Sequence, residues 1–159
     1  ILTDSQIGEV KSLDAVLIEA PSTSLGLLGV NPELKWKFFK EELPRIQKVQ
    51  AALLREGGRK LKLGGYLIYS TYTLTKSENE EQIDHFLRSS HNSFRLVPAI
   101  PYIKEFVLPY CNNFFGFNWD EKTLASFAEF DPYFTMIPDV HGTPGLFAGI
   151  IQRTRISSS

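Results

Sequence analysis

The sequence has a single cysteine, Cys111, and this scarcity excludes a disulfide within the chain. Cysteine-poor chains are typical of reducing compartments, so we predict a cytoplasmic location. The sequence also lacks an apolar run of transmembrane length and a signal-peptide pattern, which argues against a membrane partner. Neither sign of charge is in excess, because the net charge is −1. Contact with a nucleic acid would therefore depend on a local basic patch.

Potential metal ligands are also sparse. His85 lies in an amphipathic stretch and His91 just after it, and neither has a second ligand at the spacing of a zinc site. We therefore predict no metal site. Cys111 is most simply a small apolar residue packed in the interior, and a role as a relocated nucleophile is the weaker alternative.

What the sequence does contain is enough apolar side chain for one domain. Apolar residues make up 43% of the 159 residues and charged residues 22%, which are ordinary values for a globular protein. We predict one domain over residues 1–155, followed by a disordered tail at 156–159. The chain begins with "ILTDSQ", a pattern typical of a strand end that runs into a loop. This start predicts that the chain is a piece of a longer protein.

Strand and helix patterns alternate in the first half of the sequence. Residues 13–19 have a continuous apolar centre, which predicts a strand buried on both faces. A helical stretch opens at Pro32, is predicted to be interrupted at Pro44, and has its end predicted at Gly57–Gly58. A second buried strand is predicted at 64–71, after two glycines.

The second half gives fewer regular patterns. Ser77 and Glu80 have the spacing of a capping box, which predicts the start of another helix. Residues 99–133 are predicted to be irregular, with one short helix at 120–130, and we assign this insertion no role. Residues 145–155 predict a closing strand. The alternation of strands and helices predicts an α/β domain with a mostly parallel sheet.

Five stretches of the sequence stand out together, in this order and with sensible spacing. They are "LDAVLIEAPSTSLGLLGVNPELKW", "VQAALL", "LKLGGYLIYSTYTL", "SENE" and "HGTPGLFAGIIQRTR". Taken together they resemble the C-terminal half of the Sun/Fmu-type RNA (cytosine-5) methyltransferases, over residues 1–98 and 134–155. The resemblance implies a Rossmann-like fold that depends on S-adenosylmethionine, of which this chain supplies the C-terminal half of the sheet with its flanking helices.

The resemblance also implies a disabled cytosine site. The family uses a cysteine thiolate that adds to carbon 6 of cytosine, a second cysteine that helps release the enzyme, and an acidic side chain that steadies the ring. A thiolate suits this attack because it is strongly nucleophilic near neutral pH. In this sequence Tyr72 stands at the position of the attacking cysteine, Ser22 at the second cysteine and Glu19 at the aspartate. The frame of the site is kept and its nucleophile is lost, so the chain resembles a pseudoenzyme.

The resemblance assigns cofactor contacts by position. Asp4 matches the acidic residue that contacts the adenosine part of S-adenosylmethionine, and Glu19 and Pro21 border the same site. The glycine-rich loop that holds the methionine part belongs upstream of Ile1, so we expect weak or no cofactor binding by this chain. The last motif departs from the family at Pro144, where an aspartate is expected. Further positions that match the family are Gln50, Glu78, Asn79, Glu80, Pro138, His141, Gly142, Thr143, Gly145 and Phe147.

RNA contacts are implied around the first helical stretch. Asn31, Lys35 and Trp36 match the segment that flanks the RNA site, and Lys40 follows them. The whole segment 35–62 is rich in lysine and arginine, interleaved with aromatic residues, which predicts an RNA-facing surface for rRNA or tRNA. A solvated helix face is the alternative.

The 13–19 strand carries a prediction about partners. In methyltransferases of this fold, the strand beside it belongs to the part of the chain that precedes Ile1. Without that part, residues 13–19 form an apolar edge with unpaired backbone groups, which native proteins rarely leave open. We predict that the missing N-terminal part or a second protein chain covers this edge.

Three site residues have more than one interpretation. Tyr72 is better explained as a pocket-filling aromatic residue than as a nucleophile, because a phenol has a pKa of about 10. Ser22 would need an adjacent base, and His141, the candidate base for a hydrolase dyad, is far along the sequence. Glu19 binds a ribose or a base edge, or it caps a neighbouring loop.

The sequence therefore supports three hypotheses of function. The first is an RNA methyltransferase-like domain with a disabled cytosine site that still binds RNA or a protein partner in RNA maturation. The second is an active S-adenosylmethionine-dependent methyltransferase that works without a cysteine, on an exocyclic amine or a ribose hydroxyl. The third is a structural module of a larger complex.

Overall fold

The fold was analysed in a computed structural model that describes residues 12–37, 40–116 and 119–155. Asp4 and the predicted tail at 156–159 lie outside these residues. Within the described ranges, no helix is both long and apolar enough to cross a lipid bilayer.

Five strands and seven helices make up the described part of the chain. The strands are β1 (Leu13–Glu19), β2 (Leu61–Thr71), β3 (Phe94–Val97), β4 (Phe134–Met136) and β5 (Leu146–Arg153). The helices are α1 (Leu34–Lys37), α2 (Leu43–Lys60), α3 (Glu80–Ser89), α4 (Ile100–Tyr102), α5 (Leu108–Phe115), α6 (Glu121–Ala128) and α7 (Pro138–His141). Short 3-10 turns occur at Leu25–Leu27, Lys40–Glu42 and Lys76–Glu78, and a π turn at Ile103–Val107.

The sheet has the order β1-β2-β5-β3, and β4 pairs with β5. β1 and β2 are parallel, whereas β5 runs antiparallel to β2, β3 and β4. Four described strands therefore point in one direction and β5 points in the other. This confirms the α/β class and the closing strand, but it corrects the prediction of a mostly parallel sheet. The reason is that β5 enters between β2 and β3, so three of its pairings are antiparallel.

The main apolar core lies between the sheet and the two long helices. Leu67 and Tyr69 of β2, Leu54 of α2 and Ile83 of α3 are fully buried there. From Gly65 to Thr71, every second residue of β2 is buried and the intervening ones are half-buried. That alternation follows from the period of two along a strand, which turns one set of side chains towards the helices.

Helix α2 is continuous through Gly57 and Gly58, which corrects the predicted helix end. A Cβ atom on Gly57 would lie 3.0 Å from Cδ1 of Ile18, and one on Gly58 would lie 2.8 Å from Cζ of Phe86. The two glycines thus let the helix approach the sheet and α3 closely. Close packing requires glycine at these two positions, although a glycine inside a helix lowers the stability of the helix by about 1 kcal/mol relative to alanine.

The helix starts also differ from their predictions. Pro44 occupies the first turn of α2, where proline is tolerated, so it begins this helix and does not interrupt one. Ser77 lies in a 3-10 turn and not at the N-cap of α3, which is Asn79. The capping-box prediction was therefore wrong, because the helix begins two residues later than Ser77 would require.

Strand β1 lies at the edge of the described sheet. Ile18 is buried against the helices, but Leu17 on the opposite face is 64% exposed. The prediction of a strand buried on both faces is thus not met within the described residues. One face and one backbone edge of β1 have no partner there.

Residues 99–133 are largely helical and not irregular as predicted. Pro101 lies in the first turn of α4, where its missing N–H group costs no helical hydrogen bond. Pro109 lies in the first turn of α5, directly after the π turn at Ile103–Val107. The predicted short helix is confirmed as α6, whose first turn is capped by Asp120 accepting from the N–H of Thr123. Four buried residues form a second apolar cluster in this region: Ala99, Ile103, Trp119 and Phe127.

Candidate functional site

The candidate site forms where the chain leaves β1 and β2. Because these strands are parallel neighbours, the loops at their carboxyl ends lie side by side, which is where α/β folds place their ligand sites. The N–H of Ala20 donates to the carbonyl of Ser70, and the N–H of Gly26 donates to the carbonyl of Tyr72, each at 2.9 Å. We call residues 20–26 the β1 loop and residues 72–75 the β2 loop.

A buried carboxylate joins the two loops to the start of α3. Glu78 is fully buried. It accepts hydrogen bonds from the backbone N–H of Thr23 at 2.9 Å and from the hydroxyl of Thr23 at 2.8 Å. The hydroxyl groups of Thr23 and Thr73 are 3.0 Å apart. Since Thr23 gives its only hydroxyl proton to Glu78, Thr73 is the donor in this contact.

Asn79 ties the β2 loop to the end of its own strand. Its side-chain oxygen accepts from the hydroxyl of Thr71 at 2.6 Å, and its amide nitrogen donates to the carbonyl of Thr73 at 2.9 Å. Tyr69 donates its hydroxyl to the carbonyl of Glu78 at 2.7 Å. Burial, with a smaller contribution from the charge of Glu78, raises the pKa of Tyr69, so this donor stays protonated. Glu78 and Asn79 therefore act as internal braces of the loops.

Two further contacts fix the β1 loop from outside. Gln50 of α2, fully buried, donates from its amide nitrogen to the carbonyl of Pro21 at 2.9 Å. Gly145, just before β5, donates its N–H to the carbonyl of Gly26 at 2.7 Å. A Cβ atom on Gly26 would lie 2.3 Å from the carbonyl oxygen of Gly145. Only glycine fits this approach, so the loops of β1, β2 and β5 meet through bare backbone.

Ser22 and Tyr72, which the sequence analysis assigned to the two family cysteine positions, differ in their surroundings. Tyr72 is 42% exposed, so it does not fill a buried pocket as the sequence suggested. Ser22 is half-buried, and its hydroxyl oxygen accepts from the N–H of Ser24 at 3.3 Å. Glu19, at the end of β1, and Pro21 are exposed. Among the described residues, Glu19 makes no hydrogen bond to a neighbouring loop.

His141 does not serve as a base for Ser22. Its Nδ1 lies 2.8 Å from the N–H of Ile137, which makes Nδ1 an acceptor and leaves the proton on Nε2. Nε2 lies 3.0 Å from the hydroxyl of Ser126, which donates in turn to the carbonyl of Thr123 at 2.6 Å. Burial lowers the pKa of His141, and its ring stacks on Phe127 at 4.4 Å. The histidine thus joins α6 to α7 and has no proton-accepting nitrogen left for catalysis.

The residues assigned to RNA lie on the surface near the β1 loop. Trp36 is 78% exposed, and the ammonium group of Lys35 lies 5.3 Å from its ring centroid. Asn31 is exposed just before α1. Lys40 begins a 3-10 turn, but its side chain lies outside the described part of the structure, as does Asp4.

Two other candidates take no part in this site. Cys111 is half-buried against the second apolar cluster, and burial raises the pKa of its thiol. A raised pKa disfavours the thiolate that a nucleophile needs. Within the described ranges, His, Cys, Asp and Glu side chains form no group of three or more that could hold a metal ion.

Sequence reasoning noted Glu78 and Asn79 only as matching positions and missed their partners. The signal available was the pair of threonines, Thr23 and Thr73, each one residue after a family cysteine position. Hydroxyl side chains beside a buried carboxylate are natural donors, but their proximity depends on the pairing of β1 with β2.

Comparison with known proteins gives a consistent set of relatives. The family model for 16S rRNA methyltransferase RsmB/F matches residues 2–151. A probable ribosomal RNA small subunit methyltransferase B of Synechocystis is 38% identical over 89 residues, which is 56% of this chain and 20% of that protein. The ribosomal RNA small subunit methyltransferase B of Thermus thermophilus is 36% identical over 86 residues, which is 54% of this chain and 21% of that protein. The chain thus spans about one fifth of the length of these curated relatives.

Solved structures with the same fold come from Pyrococcus horikoshii. NSun6, solved with SFG, has a TM-score of 0.67 at 21% identity, over 98% of this chain and 34% of that chain. A methyltransferase homolog has a TM-score of 0.61 at 29% identity, over 92% of this chain and 41% of that chain. These likenesses support the Rossmann-like methyltransferase fold.

Proposed function

This chain belongs to the 16S rRNA methyltransferase RsmB/F family, and from that premise we propose that it is part of an RNA methyltransferase domain whose cytosine-5 site has lost its nucleophile. The observation that supports the proposal is that the two loops are held in place while the side chains at positions 22 and 72 lack a thiol. The β1 and β2 loops are braced by Glu78, Asn79 and Gln50, yet neither Ser22 nor Tyr72 offers a thiol.

Covalent attack on cytosine requires an activated nucleophile. A serine hydroxyl needs a general base, and the hydroxyl of Ser22 has the N–H of Ser24 as its neighbour instead. A tyrosine hydroxyl likewise needs a base to remove its proton before it can attack. No described side chain is placed to take a proton from either group. The site therefore supports binding of a nucleotide and not covalent catalysis on it.

The cofactor of this site is S-adenosylmethionine, by family. Glu19 and Pro21 are exposed at the end of β1 and could border its adenosine part, together with Asp4. The carbonyl of Pro21 is already held by Gln50, which fixes the backbone there. The methionine part would need the glycine-rich loop that the family places before Ile1. We therefore propose that this chain alone binds the cofactor weakly or not at all.

The open edge of β1 supports a covering partner. Leu17 is 64% exposed on this strand, and an apolar strand edge readily pairs with any available strand. The curated relatives are about five times longer than the matched region. We propose that a further segment of the native protein, or a second chain, pairs with β1.

The RNA-facing surface is proposed to include Lys35 and Trp36, with Asn31 and Lys40 beside them. An exposed indole can stack on an unpaired base, and the adjacent ammonium group can contact a phosphate. The RNA is proposed to be rRNA or tRNA, in the cytoplasm.

One observation favours a second candidate function. Glu19 has an exposed carboxyl group at the mouth of the site, where it is available to accept a hydrogen bond from an exocyclic amine of a base. A methyl transfer to such an amine needs no cysteine. Methyl transfer from S-adenosylmethionine to RNA in the absence of any covalent adduct would favour this candidate.

The proposal is tested by covalent capture. RNA that contains 5-fluorocytosine is incubated with the protein and S-adenosylmethionine, and adducts are separated on a denaturing gel. We expect no adduct with the wild-type protein. The assay uses the native protein together with the segment that completes the cofactor site, because this chain alone is proposed to bind the cofactor weakly and trapping on 5-fluorocytosine requires methyl transfer. In that protein the matched variant carries Ser22→Cys and Tyr72→Cys, which restore both family cysteines within the same frame, and it is expected to form an adduct. A stable wild-type adduct that maps to Ser22 or Tyr72 would overturn the proposal.

A further inference from the structure

A cavity lies between α2 and α3, on the side of the sheet where β3 and β5 meet. Its volume is about 260 Å³. Four elements and the residue after α3 form its walls. The lining residues are Ala51, Arg55, Gly58, Arg59, Gln82, His85, Phe86, Ser89, Ser90, Phe94 and Arg153. We call this cavity the α2–α3 pocket.

The lining of the α2–α3 pocket is basic. It includes three arginines and His85 but no aspartate or glutamate. Arg55 makes no hydrogen bond or ion pair within the described ranges. Arg59 pairs with Glu56 at 3.0 Å, but both side chains are more than half exposed, at 64% and 57%. An exposed ion pair of this kind is weak, so Arg59 can turn towards an anion at little cost.

Arg153 forms a fixed part of the wall. Its Nη1 donates to the carbonyl of Leu61, and its Nε donates to the carbonyl of Arg155 at 3.3 Å. The guanidinium carbon lies 5.9 Å from the ring centroid of Phe94, which packs on Phe86 at 4.9 Å. The pocket thus has an ordered cation on an aromatic floor, and this reduces the entropy lost when a ligand binds.

The pocket also presents hydroxyl oxygens. Ser89 donates its hydroxyl proton to the carbonyl of Phe86 at 3.0 Å, and Ser90 donates to the carbonyl of Leu87 at 2.8 Å. With their protons committed, both oxygens remain free to accept hydrogen bonds from a ligand. A ligand that carries an anionic group and hydroxyl donors matches this lining.

The pocket is separate from the candidate site. Along β5, Phe147 lies opposite Thr71 at the candidate site, whereas Arg153 lies opposite Phe94 at the pocket. The path from Phe147 to Arg153 along an extended strand is about 20 Å at roughly 3.3 Å per residue. A nucleotide held in one place cannot occupy the other.

We propose that the α2–α3 pocket binds a nucleoside monophosphate unit. The guanidinium groups of Arg55 and Arg59 hold the phosphate, because their planar forks match its oxygens, and Arg153, whose Nε and Nη1 already donate to carbonyls, contributes its positive charge. The serine oxygens accept from the ribose hydroxyls, and the Phe94–Arg153 wall lies beside the base. The volume admits one such unit, either a free nucleotide or one residue of an RNA strand. The second source rests on the proposed RNA-binding function, and the first does not.

Titration calorimetry tests the proposal with four probes: uridine 5′-monophosphate, uridine, inorganic phosphate and a short uridine oligoribonucleotide. The test variant is Arg55→Gln with Arg59→Gln. The matched control is Lys104→Gln with Lys122→Gln, which removes the same charge from exposed positions outside both the pocket and the basic segment 35–62. We expect saturable binding of the monophosphate, at least tenfold weaker binding in the test variant, and less than a twofold change in the control. Uridine without its phosphate is expected to bind at least tenfold more weakly.

The outcomes separate the pocket from the proposed function. If the monophosphate binds and the oligoribonucleotide does not, the pocket serves a free nucleotide and stands without the RNA role. If the oligoribonucleotide binds and depends on Arg55 and Arg59, the pocket is an RNA contact. RNA binding that ignores these arginines would overturn the pocket while leaving the proposed function intact. Equal losses in the test and control variants, or no saturable binding of any phosphate probe, would also overturn it. Matching unfolding curves for both variants show that folding is not the cause.

Discussion

Thr23→Val is expected to destabilise the protein by about 2–3 kcal/mol. The substitution keeps the size of the side chain and removes the hydroxyl that donates to the buried carboxylate of Glu78 at 2.8 Å. A hydrogen bond to a charged group contributes about 1.5–3 kcal/mol, and in the variant the buried carboxylate keeps, among the described residues, only the N–H of Thr23, at 2.9 Å and 3.3 Å from its two oxygens. Thr73 also loses its acceptor, and its other hydroxyl neighbour, Thr75, is 3.4 Å away. We therefore place the effect in the upper part of that range.

The measurement is equilibrium unfolding in urea, with thermal unfolding as a second probe. A loss of this size corresponds to a decrease in Tm of about 4–12 °C for a domain of this length. Thr23→Ser is the matched control, because it keeps the hydroxyl and removes only a methyl group, and it is expected to cost less than half as much. If Thr23→Val changes the free energy of unfolding by under 0.5 kcal/mol, roughly the scatter of neutral surface substitutions, then Glu78 is not the brace of the two loops.

Three further predictions concern the cofactor, the RNA and pH. Titration of this chain with S-adenosylmethionine is expected to show no saturable binding at low micromolar cofactor. Stoichiometric binding at that concentration would mean that the residues from Asp4 onward are enough to form the cofactor site. Charge reversal by Lys35→Glu with Lys40→Glu is expected to weaken RNA binding severalfold and to reduce the salt dependence of the affinity. Lys104 is an exposed lysine of segment 99–133, and a similar loss of affinity from Lys104→Glu would argue against a specific RNA-binding surface. Because burial lowers the pKa of His141 below 6.5, the unfolded chain binds more protons in the window below pH 6.5. The contribution of His141 to the free energy of unfolding should therefore be fully present above pH 6.5 and decrease as the pH drops towards the folded pKa. His141→Gln should remove this contribution to the pH dependence of stability.

The sequence predicted those features of the fold that depend on local patterns of residues. The strands at β1, β2 and β5 and the helix at α6 follow from runs of apolar residues and from a capping aspartate, so they could be located without a structure. The errors arose where long-range packing decides. Gly57 and Gly58 are typical of a helix end, but close packing against Ile18 and Phe86 keeps them inside α2.

The direction of a strand within a sheet is another long-range property. The sequence of β5 does not indicate that this strand lies between β2 and β3. Because it lies there and runs antiparallel to both, the sheet is mixed and not mostly parallel as predicted. The insertion at 99–133 was underestimated for a related reason. Its prolines break helices only at interior positions, and whether a proline is interior depends on where the helix starts.

At the candidate site, resemblance to the family pointed to Ser22 and Tyr72, but the sequence did not show what holds the loops together. The contact from Thr23 to Glu78 joins residues 55 positions apart, and the contact from Gln50 to Pro21 joins residues 29 apart. Such contacts depend on the pairing of two strands, which no local pattern records.

These contacts also explain how a site can lose its nucleophile and keep its shape. The β2 loop is attached through the backbone carbonyl of Tyr72, which accepts from Gly26, while the side chain of Tyr72 is 42% exposed. The β1 loop is attached through the carbonyl of Pro21 and through both donors of Thr23. The side chains at 22 and 72 provide none of these attachments. If these are the family's cysteine positions, as we propose, replacing a cysteine at either one leaves every one of these attachments in place, so the loops keep their shape whichever side chain stands there.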